Sequence, residues 1–270
     1  MNHVWSALLA RILLGGDQVS PRGKLTKELP QATIEIELRR PVLTDPRRKL
    51  SYTGMAAEAF WILSGWSALV EIEPYLPRMR NFSDDGVTLA GAYGPRIHQQ
   101  LDYVVKKLLD DPDTRQAVLT LWDRNPGPSK DYPCTVAMDF KLRGGKLNLH
   151  VFMRSSDAWL GVPYDVFSFS MVAHLVCCRL NQHRATAAPD QALSPNYVEP
   201  GTLYLTAASS HLYEENWLKA LACLSPLEAH SAQYETPEPL WTNETQLKFR
   251  LELLRQSGKG DRLRWWESGQ

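Results

Sequence analysis

The chain has 270 residues, with 30 Lys and Arg against 30 Asp and Glu, so its formal net charge is zero. Neutrality argues against a general nucleic-acid binder, which needs a basic surface to neutralise phosphates, but a few local arginines suffice to hold a small anion. Hydrophobic residues make up 44% and charged residues 22%, ordinary for a soluble chain long enough for one large or two small domains.

The elements are taken in chain order. The run VWSALLARILLGG is too short to span a bilayer, is broken by Arg11 and lacks a basic leader, so it reads as an amphipathic first helix. ATIEIELRRPVL alternates apolar and polar residues and predicts a strand. GMAAEAFWILSG has helical character with a glycine at each end, and NFSDDGVTLAGAYGPR is a turn-rich loop. IHQQLDYVVKKLLDDPD predicts an amphipathic helix stopped by Pro112, followed by a buried strand RQAVLTLWD and a loop RNPGPSKDYP. CTVAMDFKLRGGKLNLHVFMRS alternates on both sides of Gly144 and Gly145 and predicts a hairpin. YDVFSFSMVAHLVCCRL is apolar enough for a buried helix, and GTLYLTAASSHLY for a strand running into a loop. Strands and helices mix without regular βα alternation, which implies α+β. No repeat or linker divides the chain, so residues 1–270 read as a single domain.

Four cysteines stand at 134, 177, 178 and 223 without a CxxC pair, which implies a reducing cytoplasm and no metal site. Cys177 and Cys178 lie in an apolar helix and read as core. Cys134 opens a strand directly after a proline, where it is either a small buried hydrophobe or an exposed nucleophile. A thiolate needs a nearby cation, and Arg154 on the second hairpin arm is the candidate. Glu58 interrupts an otherwise apolar helix, at its edge or in a functional role with a raised pKa. His211 and Tyr213, two apart in a strand, share one face. Asp165 is a lone acid inside an apolar run.

Together these pieces resemble the thymidylate synthase family. The resemblance rests on PRGK, AAEAFWILSG, GAYGPR, DDPDTRQAVLTLWD, YPCT, RSSDAWLGVPYD and SSHLY, spread over most of the chain. It implies an α+β fold around a large bent mixed sheet flanked by helices, paired sheet to sheet in a homodimer. By the same resemblance Cys134 is the nucleophile that adds to pyrimidine C6, and 5,10-methylenetetrahydrofolate is the co-substrate, with no metal. Arg22, Arg154 and Ser155 bind the nucleotide phosphate, and Arg115 is donated by the second subunit. His211 and Tyr213 hold the sugar 3′-hydroxyl. Glu58 organises water and proton transfer, and Tyr93 is the active-site tyrosine. Asp157 holds the folate ring, and Gly161 lies near the base.

Several positions depart from the synthases. Asp165 stands where uracil-using members carry an asparagine. An Asn amide donates to uracil O4 and accepts from N3–H, whereas cytosine reverses that pattern. Toward cytosine an ionised carboxylate accepts from the amino group and a protonated one also donates to N3, whereas toward uracil a carboxylate facing O4 sets acceptor against acceptor, a mismatch worth about 1–3 kcal/mol or more at a dry site. Asp165 therefore implies a cytosine nucleotide, unless it merely caps the helix that follows. Thr135 replaces a His after the nucleophile, Met153 a Gln, Ala208–Ser209 a Gly-Asp pair, and Gln116 the second of two arginines. YLPRMRNFSDDG lacks the tryptophans beside the folate, which opens the pocket to water. The resulting expectation is dCMP hydroxymethylation of the kind found in the family's bacteriophage deoxycytidylate hydroxymethylases, with neither membrane nor nucleic acid required. Alternatives are a dCMP methyltransferase with hydride transfer, a CMP hydroxymethylase, and a catalytically inactive nucleotide- or RNA-binding homologue. The ending DRLRWWESGQ, with Trp265 and Trp266, does not match the synthase ending that closes over the folate.

Overall fold

A computed structural model describes residues 1–187, 197–225, 235, 236 and 238–257. The segment with Trp265 and Trp266 lies outside the described residues.

Helix α1 (Asn2–Gly15) buries Trp5, Leu8, Leu9 and Ile12, the i, i+3, i+4, i+7 stripe of one helical face. A short strand β1 (Asp17–Val19) and a turn at Pro21–Gly23 lead into β2 (Thr26–Glu37). Helix α2 (Tyr52–Leu63) starts at a Ser51 cap, whose hydroxyl accepts from Gly54 N–H. A single turn α3 (Leu69–Ile72) precedes α4 (Tyr93–Asp110). The strands β3 (Val118–Thr120), β4 (Thr135–Arg143), β5 (Lys146–Met153) and β6 (Ser156–Asp157) follow. Helix α5 (Val162–Ala187), strand β7 (Glu199–Tyr213) and the helices α6 (Trp217–Ala222), α7 (Pro239–Thr242) and α8 (Glu244–Gln256) complete the described chain.

The seven strands form one mixed sheet in the order β1-β2-β7-β5-β4-β3, with β6 also on β7. β5 and β6 run parallel to β7, while the other pairs are antiparallel. A parallel pair needs a crossover, and α5 supplies it. This helix is buried along most of its length, including Val166, Phe167, Phe169, Val172, Val176, Cys177 and Cys178. Each such fully buried apolar side chain contributes about 1.5–3 kcal/mol. The α+β class expected from the sequence is what the chain forms.

The sheet has two unlike faces. Ile34, Ile36, Met138, Phe140, Leu149, Val151, Leu203 and Leu205 are buried. The alternate row runs across register partners Glu35, Tyr204, His150 and Asp139, and across Thr33, Thr206, Phe152 and Ala137. None of that row is buried, and Phe152 is 45% exposed.

Four expectations shift in detail. α4 begins at Tyr93, before the expected Ile97, because Pro95 is tolerated in a first helical turn. Only Val118–Thr120 of the expected strand RQAVLTLWD pairs in the sheet. β7 does not run into a loop before its SSHLY end but pairs with β2 up to Tyr213. β2 starts upstream of the alternating run, and Gln31, at φ 52, interrupts its ladder beside Pro30.

Candidate active site

The hairpin places the candidate nucleophile. Thr135 and Met153 are register partners, so the residues just outside them, Cys134 and Arg154, lie side by side, and Arg154 N–H donates to Cys134 O at 2.9 Å. Arg154 Nε donates to Pro133 O at 2.9 Å and Nη2 to Tyr132 O at 3.1 Å. Nη2 also lies 3.8 Å from Cys134 Sγ. The guanidinium stacks on Trp122, 5.5 Å from the ring centroid, and Trp122 stacks in turn on Tyr132. The hairpin and these anchors fix a cation beside the sulfur.

Burial pushes the Cys134 thiol above its ordinary value. Arg154 and, more weakly, Arg22 pull it down, while Asp165 and Asp131 push it up. Arg154 thus acts in the expected direction, but burial outweighs it and the thiol rests protonated near neutral pH.

Thr135 sits where α4, β4 and the nucleophile meet. Its N–H and hydroxyl both donate to Tyr93 Oη, at 3.2 and 3.1 Å. Tyr93 stacks on Phe169 of α5, and burial with the nearby Asp165 and Cys134 holds its phenol strongly protonated. Glu58, from α2, is half-buried, and desolvation raises its carboxyl to about 7.

Asp165 is the fourth residue of α5, and its N–H already donates to Gly161 O at 2.9 Å. It therefore lies inside the helix and is not its cap. Burial first, then Glu58 and Asp157, raise its carboxyl well above the usual range. Gly161 makes room for this carboxyl: a Cβ there would lie 3.1 Å from Asp165 Oδ2 and 3.2 Å from Asp157 O. Asp157 Oδ1 accepts from the N–H groups of Trp159 and Leu160, both at 2.8 Å, which folds the loop that delivers Gly161. Burial raises the Asp157 carboxyl despite those bonds and despite the nearby His211 and Arg48.

His211 is the register partner of Asp157 and sits edge-on to Tyr213, 5.2 Å between ring centroids. Ser155 Oγ lies 3.4 Å from His211 Nδ1. Arg22 is exposed in the Pro21–Gly23 turn, with a left-handed backbone at φ 53 and ψ 32, uncommon for a non-glycine residue. The structure thus links Cys134 to Arg154, Ser155 to His211, His211 to Asp157 and Tyr213, and Gly161 to Asp165 and Asp157 by direct contacts, while Asp165 lies close enough to Glu58, Tyr93 and Cys134 to act on their charges or to be acted on by them. Arg115 stands apart, exposed between α4 and β3, while the neighbouring Gln116 accepts from Lys107 Nζ at 3.0 Å.

Three residues of the site were not singled out from sequence. Asp131 accepts from Gly91 N–H at 2.7 Å and acts on Cys134 from three residues upstream, a proximity visible in KDYPC. Trp122 carries the Arg154 stack. Arg48 donates to Trp159 O at 2.8 Å and lies over the Trp159 ring, so it clamps the loop that holds Asp157 and Gly161; nothing in PRRK marks it.

Asp157 Oδ2 is not engaged by any described side-chain hydrogen bond, and Leu160 beside it is exposed. Among the described residues no cluster of three or more His, Cys, Asp or Glu is placed to hold a metal, and no helix is long and apolar enough to cross a membrane.

Residues 3–238 match the thymidylate synthase family. The chain is 32% identical over 237 residues to a deoxyuridylate hydroxymethyltransferase of Bacillus phage SP01, covering 80% of this chain and 57% of that protein. It is 34% identical over 159 residues to a deoxyuridylate hydroxymethyltransferase of Delftia phage PhiW-14, covering 50% of this chain and 44% of that one. A third, from Pseudomonas phage M6, is 31% identical over 193 residues, covering 67% of this chain and 50% of its own length. The chain spans about half the length of these curated relatives. Their names correct the expected dCMP substrate and the expected likeness to the deoxycytidylate enzymes. The expectation rested on Asp165 turning a carboxylate toward uracil O4; the structure instead sets Asp165 near two other acids, Glu58 and Asp157, which together with burial raise its carboxyl. The folate co-substrate expected from the sequence agrees with the matched family, and the chain belongs to the thymidylate synthase family.

Proposed function

We propose that this chain hydroxymethylates C5 of dUMP, with 5,10-methylenetetrahydrofolate supplying the carbon at the oxidation level of formaldehyde. The likeness to phage deoxyuridylate hydroxymethyltransferases carries the reading, and the Cys134–Arg154 pair supports it.

Uracil C5 is a weak nucleophile. Cys134 loses its proton and adds to C6, and the electron pair displaced from C5–C6 makes C5 enolate-like. C5 then bonds to the one-carbon unit. Loss of the C5 proton and departure of tetrahydrofolate leave an exocyclic methylene on the ring. Water adds to that methylene, its electrons return to C5–C6, and Cys134 leaves C6. The balance is dUMP, methylenetetrahydrofolate and water giving hydroxymethyl-dUMP and tetrahydrofolate, with no net redox change. Glu58, at about 7, exchanges protons readily near neutral pH, and in this reading it serves the water and the ring. Arg154, Arg22 and Ser155 hold the phosphate, and His211 with Tyr213 holds the 3′-hydroxyl. That binding positions C6 over the sulfur. Asp157 Oδ2 takes the folate ring.

The uncovered sheet face, with Phe152, Tyr204 and His150, supports a sheet-to-sheet homodimer. Such pairing gives the exposed Arg115 a use, reaching the phosphate of the other subunit's site.

The experiment runs the reaction with dUMP in heavy-oxygen water and follows both products. The expected product carries the heavy oxygen in its hydroxymethyl group, and no dihydrofolate accumulates. A methyl product with stoichiometric dihydrofolate would mean hydride transfer and a synthase.

A further inference from the structure

Cys134 stands one residue ahead of β4, at the end of the loop RNPGPSKDYPC, so the hairpin holds its backbone from one side only, through Arg154 N–H on Cys134 O. A loop of Pro, Gly and Ser has no ladder of its own to fix the other side. Two carboxylates do so. Asp84 Oδ1 accepts from Lys130 N–H at 2.9 Å, and its Oδ2 accepts from the Ser129 hydroxyl at 2.6 Å. Asp131 reaches the opposite way, its Oδ2 accepting from Gly91 N–H at 2.7 Å. Gly91 lies two residues before Tyr93, whose Oη accepts from Thr135 N–H and the Thr135 hydroxyl. Residues 131–135 are therefore pinned at both ends to residues 91–93, with the sulfur between the pins. Gly91 is buried, and a Cβ there would lie 2.7 Å from Asp131 O and 3.0 Å from Asp131 Oδ1, so this close approach needs a glycine. Also between the pins are the Tyr132 and Pro133 carbonyls that hold the Arg154 guanidinium. A shift of the upstream pin moves both the sulfur and the cation beside it.

We propose that Asp131 is a positioning residue for the reaction, its hydrogen bond to Gly91 N–H setting where Cys134 Sγ and the Arg154 guanidinium stand relative to Tyr93. This rests on the reading of Cys134 as the nucleophile. The charge of Asp131 is no help to that nucleophile, because a nearby anion opposes the thiolate and Asp131 pushes the thiol up. The use of the carboxylate is then its bond to the Gly91 N–H, a charge-assisted one. A small displacement of a reacting atom is costly, so a pin that touches neither substrate nor sulfur still governs the rate.

The experiment compares Asp131→Asn with Asp131→Ala, for kcat with dUMP and for iodoacetamide alkylation of Cys134 against pH. Alkylation is read on the Cys134 peptide, since Cys177, Cys178 and Cys223 are free thiols too. Arg154, Arg22, Asp165 and Tyr93 face the thiol in both variants, and both lack the Asp131 charge, so any difference between them reads position alone. Asp131→Asn keeps an oxygen for Gly91 N–H. It is expected to exceed Asp131→Ala by at least tenfold in kcat, and Asp131→Ala is expected to alkylate at higher pH than Asp131→Asn. Where Asp131→Ala does not fold, Gly91→Ala breaks the same pin with the charge kept, and the same two losses are expected against wild type. Coincident alkylation profiles and equal kcat, or a difference in Tm alone, would overturn the inference. Alkylation needs no substrate, so if dUMP is not converted the dUMP reading falls while the alkylation profiles still decide the role of Asp131. Wild-type turnover by Cys134→Ser would remove the nucleophile, and the inference with it.

Discussion

Arg154 Nη2 stands 3.8 Å from Cys134 Sγ while the same guanidinium is held by the carbonyls of Tyr132 and Pro133 and by the face of Trp122. A cation fixed by so many contacts cannot swing away when the sulfur is neutral, so its pull on the thiol is permanent. Arg154→Gln should move the alkylation profile of Cys134 to higher pH by about one unit or more, the usual effect of an adjacent charge. Arg154→Lys should restore part of that shift but not phosphate affinity, since a point charge lacks the fork. Iodoacetamide rates against pH read the first effect, and KM for dUMP the second. Identical alkylation profiles for wild type and Arg154→Gln would show that burial alone sets the thiol.

Glu58 carries a stability consequence. Its carboxyl is raised from 4.5 to about 7 in the folded protein. Between those values the folded state holds a proton that the unfolded chain has lost, so stability falls as pH rises through that window and levels off above it. Glu58→Gln should flatten this part of the Tm-against-pH curve and raise Tm at neutral pH, while lowering kcat by about a hundredfold or more as a proton-transfer group is lost. A curve as steep in the variant as in wild type would place the titration elsewhere.

The loop from Asp157 to Gly161 allows the proposed folate role of Asp157 to be separated from its loop-folding role, in which Oδ1 accepts from Trp159 and Leu160 N–H. Asp157→Asn keeps an oxygen for the N–H groups of Trp159 and Leu160, so the loop should persist and the loss should appear in KM for the folate, about tenfold for a charge-assisted bond. Asp157→Ala should in addition raise KM for dUMP, because Gly161 and Asp165 lose their support. Equal effects of both variants on both KM values would contradict this division.

Gly161→Ala tests the packing on Asp165. The added carbon would sit 3.1 Å from Oδ2, tight enough to shift the carboxyl by a few tenths of an ångström. KM for dUMP should rise about tenfold, in line with a modest overpacking cost, with little change in Tm. A large Tm loss without a KM effect would make the glycine purely structural.

Arg115 gives the proposed dimer a direct test. Arg115→Ala and Cys134→Ala are each expected to be nearly inactive alone. Mixed and allowed to exchange subunits, they should regain activity, because one site of the mixed dimer pairs an intact Cys134 with the partner's intact arginine. No recovery from a mixture shown to exchange would remove Arg115 from the phosphate site.

Much of this site is legible in the chain. Cys134 after Pro133, Arg154 at the end of the paired hairpin arm, and His211 and Tyr213 on one strand face all follow from local pattern and pair as the alternation demands. What pattern cannot show is the convergence of distant elements. Glu58, Asp157 and Asp165 lie on α2, β6 and α5, and only the folded chain brings three carboxyls near one another. Asp131 and Arg48 escaped notice for a similar reason, since an acid or arginine in a polar loop looks solvated until its partner is known. β2 was shortened in the sequence reading because TKELPQ is polar and carries Pro30, yet pairing with β7 on one side and β1 on the other holds it in the sheet.

The most direct measurement gives the protein dUMP and dCMP separately, each with methylenetetrahydrofolate, and reads the nucleotide mass and the folate product. The account predicts that dUMP gains one carbon, two hydrogens and one oxygen while tetrahydrofolate is released, and that dCMP is turned over far more slowly. Preference for dCMP, or a methyl product with dihydrofolate, would contradict it.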